Sequence, residues 1–167
     1  NKVILYIGLK MIGVMKMIAL AKTIETLLEN KKYSSLRDVL SSMNEADIAA
    51  MFSEVSSDSL PLLFRLLPKD LAADTFALMD TDEQELLIRG FSDNEIKEVF
   101  DELYVDDAAD IVEEMPANVV KRILKNTEPD MRQMINEILK YPEDSAGSLM
   151  TTDYISLRPK MTISDAI

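Results

Sequence analysis

The chain has 167 residues, 47% of them hydrophobic and only 6% aromatic, with 11 Met and neither Cys nor His. That is enough for one ordinary domain with an aliphatic and methionine core, plus the start of another. It excludes thiolate chemistry, Ser-His-Asp triads and the usual zinc or copper sites, so a bound metal would need oxygen ligands, as Mg²⁺, Ca²⁺ and Mn²⁺ accept. The formal charge of −12 is divided into +5 over residues 1–37 and −17 over residues 38–167, a body that repels nucleic acid and anionic membranes and suits cations or a basic partner surface.

The first segment, 1–35, opens with an apolar run from Val3 to Ala21 broken by Lys10 and Lys16. Each lysine near the middle of a membrane span costs roughly 2.5–3.5 kcal/mol on insertion scales. Ala19-Leu20-Ala21 also fits a small-x-small cleavage pattern, while Met11, Met15 and Met17 are equally good internal starts. The simplest reading is a covered helix running on through Ile18, Ala21, Ile24, Leu27 and Leu28.

A repeat follows over residues 36–142. Met43, Leu67, Phe91 and Met115 lie 24 residues apart, as do Val55, Met79 and Leu103 between them, and turn chemistry follows each. The unit is a helix and turn of about twelve residues, paired into hairpins. Ser92-Asp93-Asn94-Glu95 reads as a capping box, Pro68 and Pro116 as first-turn prolines, and Thr81 as a cap followed by acids that favour the helix dipole. Ile48, Met51, Phe52, Val55 and Ile96, Val99, Phe100, Leu103 recur at helical spacing. Helices this short are marginal alone, below the roughly 12–15 residues an isolated helix needs, so stacking must stabilise them. The fold class is therefore all-α, an armadillo-like solenoid of short helical hairpins.

Pro129 to Lys140 supplies one more helix, after which the texture changes. Glu143 to Met150 reads as a connector with a flexible centre, Tyr154 to Leu157 as a short strand, and Thr162 to Ile167 as a helix start. Residues 143–167 are thus a connector and the beginning of a second domain.

Asp93 to Glu114 carries ten acids and one base, Lys97. Asp58, Asp82 and Asp106 fall in equivalent first-turn slots, where capping is the plain explanation. Asp110 differs, because its repeat equivalents are Leu62, Leu86 and Met134. Asp106, Asp110 and Glu113 share one helical face and repel by a few tenths of a kcal/mol per pair, which a divalent cation would relieve. Asp74 has Ala50, Glu98 and Arg122 as equivalents and reads from residues alone as surface. Paired carboxylates also invite a glycosidase reading, but no aromatic sugar platform accompanies them, and the chain reads as non-enzymatic.

The hairpin body followed by DSAGSLMTTDYISLRPKMTISDAI resembles the cytosolic N-terminal domain of MgtE-type magnesium transporters running into their first CBS domain. The resemblance implies a right-handed superhelix on the cytoplasmic side of the cell membrane, packed against CBS domains of a homodimeric channel. It further implies Mg²⁺ ions at the domain interface that hold the assembly closed. By motif, the metal residues are Asp106 and Asp110 in Asp-Asp-x-Ala-Asp and Asp74 in Asp-Leu-Ala-Ala-Asp, with Gly147 of the Ala-Gly connector nearby. The alternative is a protein-binding scaffold resembling the helical-repeat segment of flagellar rotor switch proteins, whose acids would meet a basic partner without metal.

Overall fold

A computed structural model describes residues 2–142, 145–148, 150, 158–159 and 161–163, with side chains from residue 15 onward. Ten α-helices occur among the described residues: α1 (Lys2–Glu29), α2 (Tyr33–Leu40), α3 (Glu45–Phe52), α4 (Leu60–Phe64), α5 (Lys69–Ala77), α6 (Thr81–Gly90), α7 (Asp93–Phe100), α8 (Val105–Glu114), α9 (Ala117–Asn126) and α10 (Pro129–Ile138). No strand occurs among them. The strand expected at Tyr154 to Leu157 and most of the final helix start lie outside the described residues.

The sequence period is the structural period. Helices α3, α5, α7 and α9 begin at residues 45, 69, 93 and 117, and α6, α8 and α10 at 81, 105 and 129. Each of these starts is 24 residues beyond the previous one in its series. Equivalent helices stack: α1 on α3, α3 on α5, α5 on α7 and α7 on α9 form one row, and α4 on α6 and α8 on α10 belong to the other. The connections between helices are too short for anything but hairpins.

The core runs unbroken through the stack, from Ala21 and Ile24 of α1 to Ile135 and Ile138 of α10. Among the described side chains of α1, Leu27 and Leu28 are half-buried beside this core and Glu25 accepts the Ser56 backbone N–H at 2.7 Å. At the centre, Phe52, Phe76 and Phe100 occupy one repeat slot in α3, α5 and α7, all fully buried. Phe76 meets Phe64, Phe91 and Phe100 at ring-centroid distances of 5.9, 6.4 and 6.2 Å, two of them edge-on. That geometry adds to the gain from area alone.

The helix starts agree with the sequence in kind and differ in detail. The capping box is present, with Ser92 Oγ accepting from Glu95 N and Glu95 accepting from Ser92 N. Pro68 and Pro116 sit one position earlier than expected, as N-caps with extended backbone at ψ 152° and 144°; a residue without an N–H costs nothing there. The N-cap of α6 is Asp80, so Thr81 is its first helical residue, and its hydroxyl donates instead to Glu114 of α8. Asp58 precedes α4, which begins at Leu60, and so is not a first-turn acid.

Polar pairs join successive repeats. Arg65 meets Glu95 at 2.5 Å, Lys69 meets Glu98 at 3.3 Å, Asp93 meets Arg122 at 3.5 Å, and Lys97 meets Glu128. Hydrogen bonding to Arg65 lowers the Glu95 carboxyl to about 2. This exposed pair is worth no more than about 1 kcal/mol. Because the folded value lies below the ordinary carboxylate range, its contribution is complete above about pH 4.3 and disappears as pH falls toward the folded value.

Replacing Ser92 by Ala removes one half of the capping box and should cost about 1 kcal/mol, lowering the calorimetric Tm by roughly 2–4 °C for a chain of this size. Phe76→Ala opens the centre of the aromatic cluster and should cost about 3–5 kcal/mol by denaturant titration.

A candidate acidic metal site on α8

Helix α8 forms because Val105, Ala108, Ala109, Ile111 and Val112 bury one face, against α10 on one side and α5 on another. Its other face is Asp106, Asp107, Asp110, Glu113 and Glu114. The two aspartates of the first turn gain from the helix dipole, whereas the later acids do not. Tyr104 is the N-cap and makes no side-chain cap.

The second row is closely packed between α8 and α10 and looser between α6 and α8. There a hollow of about 240 Å³ opens, lined by Ala77, Met79, Gln84, Asp107, Asp110 and Glu114 among others. Gln84 is buried at its edge and donates to the Phe76 carbonyl at 2.8 Å, anchoring α6 to α5. Burial raises the Asp107 carboxyl above its ordinary range, and the charges of Asp106, Asp110 and Asp74 raise it further. Partial desolvation on the rim of the hollow likewise raises Asp110, with Asp106 and Glu114 adding to it. Among the described residues no Lys or Arg forms an ion pair with any of these four aspartates.

Three of the four residues singled out from sequence bear on this face. Asp106 is half-buried, and its Oδ1 is enclosed without a hydrogen-bond partner among the described residues, so that oxygen does not cap the helix. Asp110 is exposed, and the slot it fills is a rim position elsewhere too: Leu62 is 39% exposed and Leu86 and Met134 are half-buried. An acid is tolerated there because the slot never enters the core. Asp74 projects from α5 as an exposed residue whose charge reaches Asp107. In the next two repeats its slot makes the Lys69–Glu98 and Asp93–Arg122 bridges; the residue at the corresponding sequence register for Asp74 is Glu45, also an acid. Gly147 lies in the turn 145–148 that follows α10.

Asp107 and Glu114 were missed from sequence. Asp107 is the second Asp of the Asp-Asp-x-Ala-Asp motif, and its spacing to Asp110 and Glu114, i, i+3 and i+7, places all three on one face. Among the described residues no three carboxylates converge tightly enough to enclose a cation alone. The larger hollow, about 310 Å³ between α4, α5 and α7, has a Phe64 and Phe91 floor and a rim of Arg65–Glu95 and Lys69–Glu98 pairs. Its rim charges are already compensated.

A family model described as the MgtE intracellular N domain matches residues 43–144. The chain belongs to this family. The Magnesium transporter MgtE of Thermus thermophilus is 28% identical over 152 residues, covering 89% of this chain and 34% of that protein. The Magnesium transporter MgtE of Bacillus subtilis is 24% identical over 141 residues, covering 84% and 31%. This MgtE N domain chain thus spans about a third of the length of the curated relatives it matches. Its fold matches the crystal structure of the cytosolic domain of the Mg²⁺ channel MgtE in complex with ATP at a TM-score of 0.75 and 28% identity, over 85% of this chain and 58% of that one. The soluble part of a magnesium transporter matches in fold at a TM-score of 0.71 and 18% identity, over 85% and 55%. Among the residues whose side chains are described, no helix is long and apolar enough to cross a membrane.

Because the Asp107 carboxyl is raised, the folded state holds its charge less well than the unfolded chain does, a cost that is complete above the folded value. Asp107→Asn should therefore raise stability at pH 7 without divalent cations by a few tenths of a kcal/mol. The gain should vanish near pH 3, below the ordinary aspartate value of about 3.9, as read by urea titration at both pH values.

Proposed function

We propose that this MgtE N domain is a non-enzymatic regulatory module whose acidic α8 face responds to cytosolic Mg²⁺ in a magnesium transporter. The observation that carries the reading is the uncompensated carboxylate face: Asp107 and Asp110 are raised by desolvation and by neighbouring acids, and Asp106 Oδ1 is enclosed without a donor among the described residues. An all-oxygen donor set suits Mg²⁺, which keeps several waters and commonly takes only one or two protein carboxylates. Asp106 and Asp110 would hold the ion, with Asp74 at the neighbouring edge. Gly147 would join them through its backbone, because α10, which leads into its turn, is the helix packed on α8.

The hairpin stack is read as a right-handed superhelix on the cytoplasmic side of the membrane. Residues 143–167 are read as the connector into a CBS domain of a homodimeric transporter. A bound Mg²⁺ supplies positive charge where carboxylates of adjoining domains would otherwise repel. Open and closed arrangements would differ in how near α8 lies to the next domain, so Asp106 and Asp110 take up the ion more tightly in the near arrangement. That difference in affinity is what a ligand-driven switch requires.

The test is scattering from the chain extended through its natural downstream domains, with chelator and with millimolar Mg²⁺. The native protein should compact on adding Mg²⁺, and Asp106→Asn with Asp110→Asn should abolish that change. Equal dimensions in both conditions would overturn the reading in favour of a metal-free scaffold, whose basic partner a pull-down would then identify.

A further inference from the structure

Gly147 was expected to be a flexible point in a connector, but its surroundings are crowded. A methyl built on it would lie 2.5 Å from Cγ and 2.7 Å from Cε1 of the Tyr141 ring, and close to Cδ1 as well. Real Cβ atoms do not approach that closely, and the atoms met belong to the body of the ring, including the one nearest the Tyr141 backbone. Its φ is not positive, so glycine is not required here for a left-handed backbone. What remains is space: the absence of a side chain lets the backbone lie against the ring.

The backbone is held on both sides of this contact. Tyr141 follows α10 directly, and its N–H donates to the Ile138 carbonyl at 3.0 Å. Pro142 comes next with its φ fixed by the pyrrolidine ring. Its carbonyl accepts from Ser145 N at 3.1 Å. Ser148 N donates to both Ser145 O and Ser145 Oγ at 3.2 Å, and Ser148 Oγ donates to Ser145 O at 2.9 Å. The chain therefore folds back on the end of α10 within six residues, closed by small polar turns on one side and an aromatic face on the other.

We infer that Tyr141 and Gly147 form a clamp that fixes the direction in which the chain leaves the last hairpin. Tyr141 is 45% exposed, so its ring is not core; its work is to cover the Gly147 backbone. The turn 145–148 is then held against the end of α10, and displacement of α10 carries that turn with it. This holds without metal and is independent of the magnesium reading.

The test uses the chain in chelator. NMR should show cross-relaxation between Tyr141 ring protons and the Gly147 α-protons, whose ring-current shift should persist in Tyr141→Phe and vanish in Tyr141→Ala. Gly147→Ala should speed amide exchange at Ser145 and Ser148 at least tenfold while leaving α5 and α7 unchanged. In a Tyr141→Ala background the same substitution should change exchange less than twofold, because the obstacle has gone. Absence of the ring-to-glycine signal, or equal acceleration by Gly147→Ala in both backgrounds, would overturn the clamp. Should Gly147→Ala also loosen α5 and α7, Tyr141→Ala decides alone: loss of Ser145 and Ser148 protection sustains the proposal and retained protection defeats it.

Discussion

Everything in this molecule depends on helices too short to exist by themselves. Eight to ten residues is below the length at which an isolated helix holds together in water, and most helices of the repeat have that length or less. Each persists only because its inner face is covered by the equivalent face of the next repeat. Phe52, Phe76 and Phe100 are the plainest expression of this: one slot, three turns of the repeat, and a large ring in each. A stack built in this way spreads its stability over successive interfaces, and it leaves the outer faces free to carry charge.

The two rows use that freedom differently. Along the first, charges of opposite sign meet between repeats, and the register is kept even when the signs exchange, as from Lys69–Glu98 to Asp93–Arg122. Along the second, the acids of α8 face the seam with α6 and have no cationic partner among the described residues. The seam is correspondingly open, bridged at its edge by the Thr81 hydroxyl on Glu114. The same chemical groups thus brace one side of the stack and leave the other wanting a counter-charge.

The helical architecture was legible in the sequence because a 24-residue period has few structural meanings, and apolar spacing within each unit fixed which face turned inward. The errors at helix starts were local: Pro68, Pro116 and Thr81 each stand one position from where the pattern put them, since several residue types can serve at a start and only the backbone decides. The site was legible in part. Of the candidate residues, Asp110 stands out in the sequence as an acid in a slot otherwise apolar, whereas Asp106 and Asp74 enter through their motifs. Spacing puts Asp107 on the face of Asp110 and Glu114, but that α5 and α6 lie across from it is visible only in the fold. The crowding at Gly147 was hidden for a similar reason, since glycine reads as freedom until the neighbouring ring is placed.

The exchange of sign between the two rungs of the first row bears on how such arrays evolve. A hairpin whose first residue is Lys69 needs an acid six places into the next odd helix, and one beginning with Asp93 needs a base there. Adjacent units are therefore not interchangeable despite their common backbone. Duplicating the Asp93 hairpin would set Asp93 against Glu98, acid against acid, whereas duplicating the Lys69 hairpin would set Lys69 against Asp74, so the charge pattern favours some orders of the units and disfavours others.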